Sequence, residues 1–204
     1  MSSNPKISIL ILAAGGSKRM GTPKQLLPWA GNTLLGHAVI KAKELANDTI
    51  MVVLGAHSEE IKPTLVNEAV VVTVHKDWEK GLGTSIAWGV TQLMQREALL
   101  DGVLIMLADQ PLITSDYLSS ILNRFKPEDQ SIIATIYSDQ KLGVPALFDR
   151  CYFEELKELT TDMGAKEIMH KYKEKVVLLY AEEMLADIDT LDDYRRLYAA
   201  NHLS

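Results

Sequence analysis

Two lysines and an arginine follow a pair of glycines early in the chain, in the run Leu12-Ala13-Ala14-Gly15-Gly16-Ser17-Lys18-Arg19-Met20-Gly21-Thr22-Pro23-Lys24. Glycines let a backbone approach a ligand closely and turn successive N–H groups toward it, while Arg19 and Lys24 add full positive charge. That combination suits a polyanion and points to nucleotide phosphates. Neither of two familiar phosphate-loop patterns is present. A Walker A loop would carry Lys directly after Gly21, where Thr22 stands. The G-x-G-x-x-G fingerprint fails because Gly16 and Ser17 follow Gly15.

Acidic groups occupy two later places. Asp109 ends the apolar run Val103–Leu107 within Ala108-Asp109-Gln110-Pro111, and Asp187-Ile188-Asp189-Thr190 lies near the end of the chain. A carboxylate where a buried strand reaches a ligand-binding face can hold Mg²⁺, a hard cation that prefers oxygen ligands. In an extended segment Asp187 and Asp189 face the same side. Between these groups, Gly81 and Gly83 precede Thr84 and Ser85, so backbone groups and hydroxyls could line a base-and-ribose pocket.

Each segment taken alone also fits a structural role. The glycine run fits an ordinary strand-to-helix turn, and Asp109 fits a side chain accepting loop N–H groups. Asp189 or Thr190 fits a cap on a final helix, with Asp192 and Asp193 in its first turn. Cys151 reads as a packing residue, and the eight methionines read as core fillers.

The elements that must position these groups follow from the apolar pattern. Short apolar runs predict strands at Ile7–Leu12, Thr49–Leu54, Val70–Val74, Val103–Leu107, Ile132–Tyr137 and Val176–Tyr180. Strands that are apolar throughout are covered on both faces, as in a parallel sheet. Helical patterns fall at Thr33–Asn47, after a Ser58 cap, and at Thr84–Gln95, Ser115–Phe125, Arg150–Leu159, Ala165–Tyr172 and Leu191–Ala200. Their alternation predicts a doubly wound, mostly parallel α/β three-layer sandwich forming one domain over residues 1–204. Ligands in such sheets sit beyond the carboxyl ends of the strands, which gathers the loops at 13–24, 75–84 and 108–112.

Composition narrows the class further. The 204 residues are 47% hydrophobic and 24% charged, ordinary for a globular domain, and the net charge of −6 argues against a nucleic-acid-binding surface. A single cysteine excludes an internal disulfide and a multi-thiolate zinc site. No apolar run reaches the roughly 18 residues a membrane span needs. Met1–Pro5 reads as a short polar lead-in, so the expectation is a soluble cytoplasmic protein without a membrane partner.

Taken in order, these segments resemble the molybdenum cofactor nucleotidyltransferases, the MobA-like NTP transferases, and within them the cytidylyltransferase-like branch. The resemblance rests on Leu12 through Gly21 with Lys24, on Trp78 with Gly81 and Ser85, and on Leu107–Pro111. It continues through Gly143–Phe148, Asp162–Lys166 and Asp187–Thr190, nearly the whole chain. It implies the nucleotide-diphospho-sugar transferase fold and transfer of CMP from CTP to the molybdopterin phosphate, releasing pyrophosphate.

On the matching positions, Leu12, Ala13, Ala14 and Gly15 would contact the nucleotide, with Lys24 on its phosphates and Gly81 and Ser85 beside base and ribose. Asp109 and Asp189 would hold Mg²⁺, and Arg19 and Lys24 would stabilise charge on the leaving phosphates. Gly143, Pro145 and Phe148 would face the pterin acceptor. Ala14 favours CTP, since guanylyl members usually carry Gly there; His75 stands where the family often has Asn, and Val144 where it often has a polar residue. The alternatives are GTP as donor, a sugar phosphate as acceptor, or a non-catalytic nucleotide-binding factor for molybdoenzyme maturation. A molybdoenzyme or its maturation chaperone would be the protein partner.

Overall fold

The computed structural model describes residues 4–45, 49–127, 129–137, 141–181 and 186–202. A seven-stranded sheet runs through the molecule, built from β1 (Ile7–Ala13), β4 (Ile50–Leu54), β5 (Val71–Val74), β6 (Gly102–Leu107), β7 (Ile132–Ile136), β8 (Leu142–Asp149) and β9 (Val176–Tyr180). Their order is β5-β4-β1-β6-β8-β7-β9, and every pairing is parallel except those made by β8. A small hairpin, β2 (Pro28–Trp29) with β3 (Asn32–Thr33), stands apart from the sheet.

The core strands are apolar throughout because helices cover both faces. On one face lie α1 (Leu34–Lys43) and α4 (Ser115–Arg124), whose Leu35, Val39, Leu118 and Ile121 meet Ile9, Ile11, Val52 and Leu104. On the other lie α3 (Leu82–Arg96), α5 (Phe153–Lys157) and α6 (Lys166–Lys171), packed on Leu10, Met51, Val53 and Ile105. The α3 contact is close: a Cβ on Gly89 would stand 2.6 Å from the Leu10 side chain. A third cluster joins Met20, Trp29, Leu34 and Ile188 to α7 (Leu191–His202), with Trp29 edge-on to Tyr198 and His202.

Caps fix where helices begin. Thr33 accepts from the Gly36 N–H at 3.0 Å ahead of α1, and Thr114 accepts from the Tyr117 N–H at 3.2 Å ahead of α4. Thr190 and Asp193 cap α7 reciprocally: the Asp193 N–H donates to the Thr190 hydroxyl and the Thr190 N–H to the Asp193 carboxylate. Ser58 is not a cap. The short helix α2 (Ser58–Ile61) follows His57 in a left-handed conformation, and no side chain caps it. The expected helix at Thr33–Asn47 ends at Lys43 in α1, and Asn47 lies outside the described residues.

The largest departure from the sequence reading is β8. It inserts antiparallel between β6 and β7, with Val103 opposite Phe148 and Ile132 opposite Phe148 on the other side. Gly143 and Pro145 disguise it, since both residue types ordinarily mark turns. β8 being a central strand, Phe148 has no exposed surface and packs edge-on to Tyr152 in the core. Phe148 therefore cannot face an acceptor. Gly143 and Pro145 are buried in the same strand, and the Pro145 carbonyl is taken by the Thr135 hydroxyl at 2.6 Å. Among the described residues no helix is long and apolar enough to cross a membrane.

Candidate active site

The chain leaves β1 for β4 and β5 on one side, then crosses back to place β6 on the other side of β1. That reversal opens a crevice beyond the carboxyl ends of β1 and β6, where ligands bind in open α/β sheets. A cavity of about 400 Å³ lies there. It is lined by Leu12, Ala13, Ala14 and Gly15 from the end of β1, by Leu107, Ala108 and Asp109 from the end of β6, and by Gly81 and Ser85 at the start of α3. Lys24 lines it as well, and so do Asp187 and Asp189. Residues far apart in the chain thus meet as the sequence reading expects. Gly143, Pro145 and Phe148 are not among the lining residues.

The centre of the site is an ion cluster. The Lys24 ammonium contacts the Asp109 carboxylate, the Ile188 carbonyl at 3.0 Å and the Asp189 carboxylate at 3.5 Å. Asp109 and Asp189 are held together by the backbone too, since the Ile188 N–H donates to the Asp109 carbonyl at 3.0 Å. Arg19 sits at the rim, exposed, with its guanidinium 3.0 Å from the second Asp189 oxygen. Asp109 keeps one buried oxygen, Oδ1, without a hydrogen-bond partner.

Behind Asp109, the Gln110 amide donates to Asp187 Oδ1 at 2.9 Å and to the Tyr137 hydroxyl at 2.7 Å. Tyr137 in turn donates to the Val144 carbonyl. Desolvation, followed by the Asp109 charge, raises the Asp187 carboxyl above its usual range. Burial likewise keeps the Tyr137 phenol protonated.

The opposite wall is aromatic. Trp78 lines the cavity and packs on Gly16 and Gly55, where a Cβ would stand 2.7 Å and 2.6 Å from its side chain. Lys18 reaches over its ring at 5.9 Å. Gly81 has φ +116°, and a side chain there would collide with the Asp162 carboxylate at 2.1 Å, so this corner requires glycine. His75 lies behind the wall, stacked on Trp88, with its Nε2 3.1 Å from the Thr84 hydroxyl. Thr84 itself donates to the Gly81 carbonyl, so His75 Nε2 carries the proton in that contact. Burial lowers the His75 pKa and keeps the ring neutral.

Gln25 is a site residue that sequence reasoning missed. It lies in the 3-10 turn Lys24–Leu26, is 2% exposed, and its amide donates to the carbonyls of both Ala13 and Gly15 at 2.9 Å. A lone glutamine beside a lysine carries no pattern that would single it out. Lys18 lines the cavity as well, whereas Arg19 stands at its rim.

This geometry fits the comparison with known proteins. The family model described as MobA-like NTP transferase domain matches residues 9–176, which include the glycine loop, Lys24, Gly81, Ser85 and Asp109. The chain belongs to that family. Among solved structures, Rv0371c from Mycobacterium tuberculosis H37Rv is 31% identical, with a TM-score of 0.83 over 96% of this chain and 98% of that one. A complex of Rv0371c with manganese is 29% identical with a TM-score of 0.78, covering 94% of this chain and 97% of that one. The Bifunctional protein GlmU of Pseudomonas syringae pv. syringae is 33% identical over 135 residues, 65% of this chain. The match spans only 28% of that relative's length. The fold is of the nucleotide-diphospho-sugar transferase type.

Proposed function

We propose that this chain transfers a nucleoside monophosphate from a nucleoside triphosphate to a phosphate monoester and releases pyrophosphate, with CTP as donor and the molybdopterin phosphate as acceptor. The observation that carries this reading is the meeting of the glycine loop, Lys24, Asp109 and Asp189 in one crevice. CTP is favoured by Ala14, as in the cytidylyl branch the chain resembles.

A divalent ion fits the residues present. Asp109 offers a buried, unpartnered carboxylate oxygen, Asp189 stands beside it, and an oxygen-only donor set suits Mg²⁺. Among the described residues no cluster of three or more His, Cys, Asp or Glu has metal-holding geometry, so substrate and water oxygens would complete the shell. The manganese complex of Rv0371c supports a divalent ion here. When bound, the ion would supply positive charge between two anions.

The chain's own residues do the rest. An acceptor phosphate has its second pKa near about 6 and is already ionised at neutral pH, so the reaction needs no general base. Lys24 and Lys18 meet the nucleotide phosphates, and Arg19 at the rim balances charge on the departing pyrophosphate. Trp78 and the Gly81–Ser85 turn wall off the nucleoside end.

A sugar-phosphate acceptor is the second reading. It is favoured by the burial of Phe148 in the core and by the polar Gln110–Asp187 pair beside Asp109. Pyrophosphate release, measured with CTP, GTP, ATP and UTP against the molybdenum cofactor and against hexose 1-phosphates in Mg²⁺, separates these. We expect release with CTP and the cofactor. Release only with a hexose 1-phosphate moves the acceptor assignment, and nucleotide binding without release under any pairing leaves a non-catalytic binding factor.

A further inference from the structure

We propose that Gln25 is a positioning residue that sets nucleotide affinity by fixing which edge of the Leu12–Gly16 peptides is open to the ligand; this deepens the nucleotidyl-transfer reading and rests on it. Every carbonyl of the loop's first stretch is already taken by the protein. Leu12 accepts from the Ala108 N–H at 3.2 Å, and Ala14 accepts from the Ala56 N–H at 3.0 Å. Ala13 and Gly15 both accept from the single Gln25 amide nitrogen at 2.9 Å. The N–H groups show the opposite state. Among the described residues none accepts from the backbone N–H of Ala14, Gly15 or Gly16, and the first two of these consecutive donors belong to residues that line the cavity.

These two facts are linked through the peptide plane. In a trans peptide the carbonyl and the following N–H point in opposite directions. Holding the Ala13 carbonyl on Gln25 therefore turns the Ala14 N–H the other way, and holding the Gly15 carbonyl does the same for the Gly16 N–H. Two adjacent glycines at 15 and 16 make this stretch easily rotated, so the orientation needs an outside brace.

Gln25 can supply that brace because its own geometry is fixed. It is buried, and its carbonyl oxygen accepts from the Ser17 hydroxyl at 3.5 Å. Ser17 accepts in turn from the Lys24 N–H at 3.0 Å. The brace thus couples the open donors at the loop's start to the lysine at its end. With the brace removed, the Ala13 and Gly15 carbonyls are free to turn, presenting oxygen where phosphate oxygen must sit.

The test compares Gln25→Met, which keeps volume without donors, and Gln25→Glu, which places a carboxylate against two carbonyls. Calorimetric titration with each of the four Mg-nucleoside triphosphates should show affinity for the preferred one falling at least tenfold. Turnover at saturating nucleotide should fall less than threefold, so KM rises while kcat holds; a purely structural role would lower the melting temperature and leave KM in place. Folded variants with wild-type affinity, or with kcat and KM lost together, overturn the proposal.

A second measurement uses the unaltered protein. In amide NMR, nucleotide should shift the Ala14, Gly15 and Gly16 N–H resonances while the Gln25 side-chain amide stays protected from exchange. Release of the Gln25 amide on binding would overturn the proposal whether or not the variants fold. If the wild-type chain binds none of the four nucleotides, the nucleotidyl-transfer reading itself fails, and that result is distinct from equal binding by wild type and variants.

Discussion

The two halves of the sheet use similar residues for opposite ends. On the β1–β6 side, Gly15 and Gly16 stand just past the end of a strand, Gly15 lining the cavity and Gly16 packed under Trp78. On the β8–β7 side, Gly143 and Pro145 lie inside a strand, and Gly143 packs against the Tyr137 ring, which a Cβ would approach to 2.4 Å. Aspartates repeat the contrast. Asp109 follows the end of β6 at the crevice, whereas Asp149 ends β8 opposite Gly102 at the start of β6, the other end of the sheet, and accepts from the Cys151 N–H at 2.9 Å. Each keeps one buried carboxylate oxygen without a partner. Position relative to the carboxyl ends of the parallel strands, more than residue type, separates the candidate catalytic groups from the structural ones.

Substitutions in the two halves sharpen that contrast. The largest effect is expected in the β8 half: Phe148→Ala should cost about 3–5 kcal/mol, as other buried aromatic truncations do. Denaturant unfolding measures this. Phe148→Leu, better tolerated by the core, should leave the acceptor KM unchanged, and a raised KM would return Phe148 to the site.

In the β1–β6 half, Asp109→Asn should lower turnover by about a hundredfold or more, comparable to loss of other transition-state charge stabilisers. Its melting curve should stay near wild type. Near-wild-type rates would remove Asp109 from the chemistry. Asp149→Ala should do the reverse, leaving turnover intact while losing about 1 kcal/mol as a lost cap does. In a chain of this size that corresponds to a melting-temperature fall of about 2–4 °C.

The smallest effect concerns Cys151. Cys151 is exposed, yet partial desolvation of its thiol and the neighbouring Asp149 carboxylate push its pKa up to about 12. A raised pKa keeps the thiol protonated, and only the thiolate is nucleophilic. Iodoacetamide labelling at pH 8 should therefore run well over tenfold slower than labelling of an ordinary cysteine. Labelling should accelerate in Asp149→Ala, which removes one cause of the shift.

Much of the first half was legible in the sequence because its strands are uninterrupted apolar runs that empty into glycine or aspartate. Ile7–Leu12 and Val103–Leu107 differ from the observed β1 and β6 by one residue at one end. The gathering of the loops at 13–24, 75–84 and 108–112 followed from topology, whereas the roles of Gly81, Ser85 and Asp189 came from the family resemblance. β8 was not legible: Gly143 and Pro145 carry turn chemistry, and only pairing to β6 and β7 overrides it. Gln25 was hidden for another reason. Its role comes from where its amide reaches, and a single glutamine has no spacing to betray that.

The cluster of Met20, Trp29, Leu34 and Ile188 under α7 joins the N-terminal loop to the last helix of the chain. A polypeptide emerging from the ribosome presents its amino end first, domains folding as units during synthesis. Here the early loop must wait, without its aromatic floor, until Tyr194 and Tyr198 arrive about 170 residues later. A nascent chain stalled before residue 186 would thus carry the glycine loop and Lys24 yet lack both the packing of α7 on Met20 and Trp29 and the Asp189 carboxylate that Lys24 contacts.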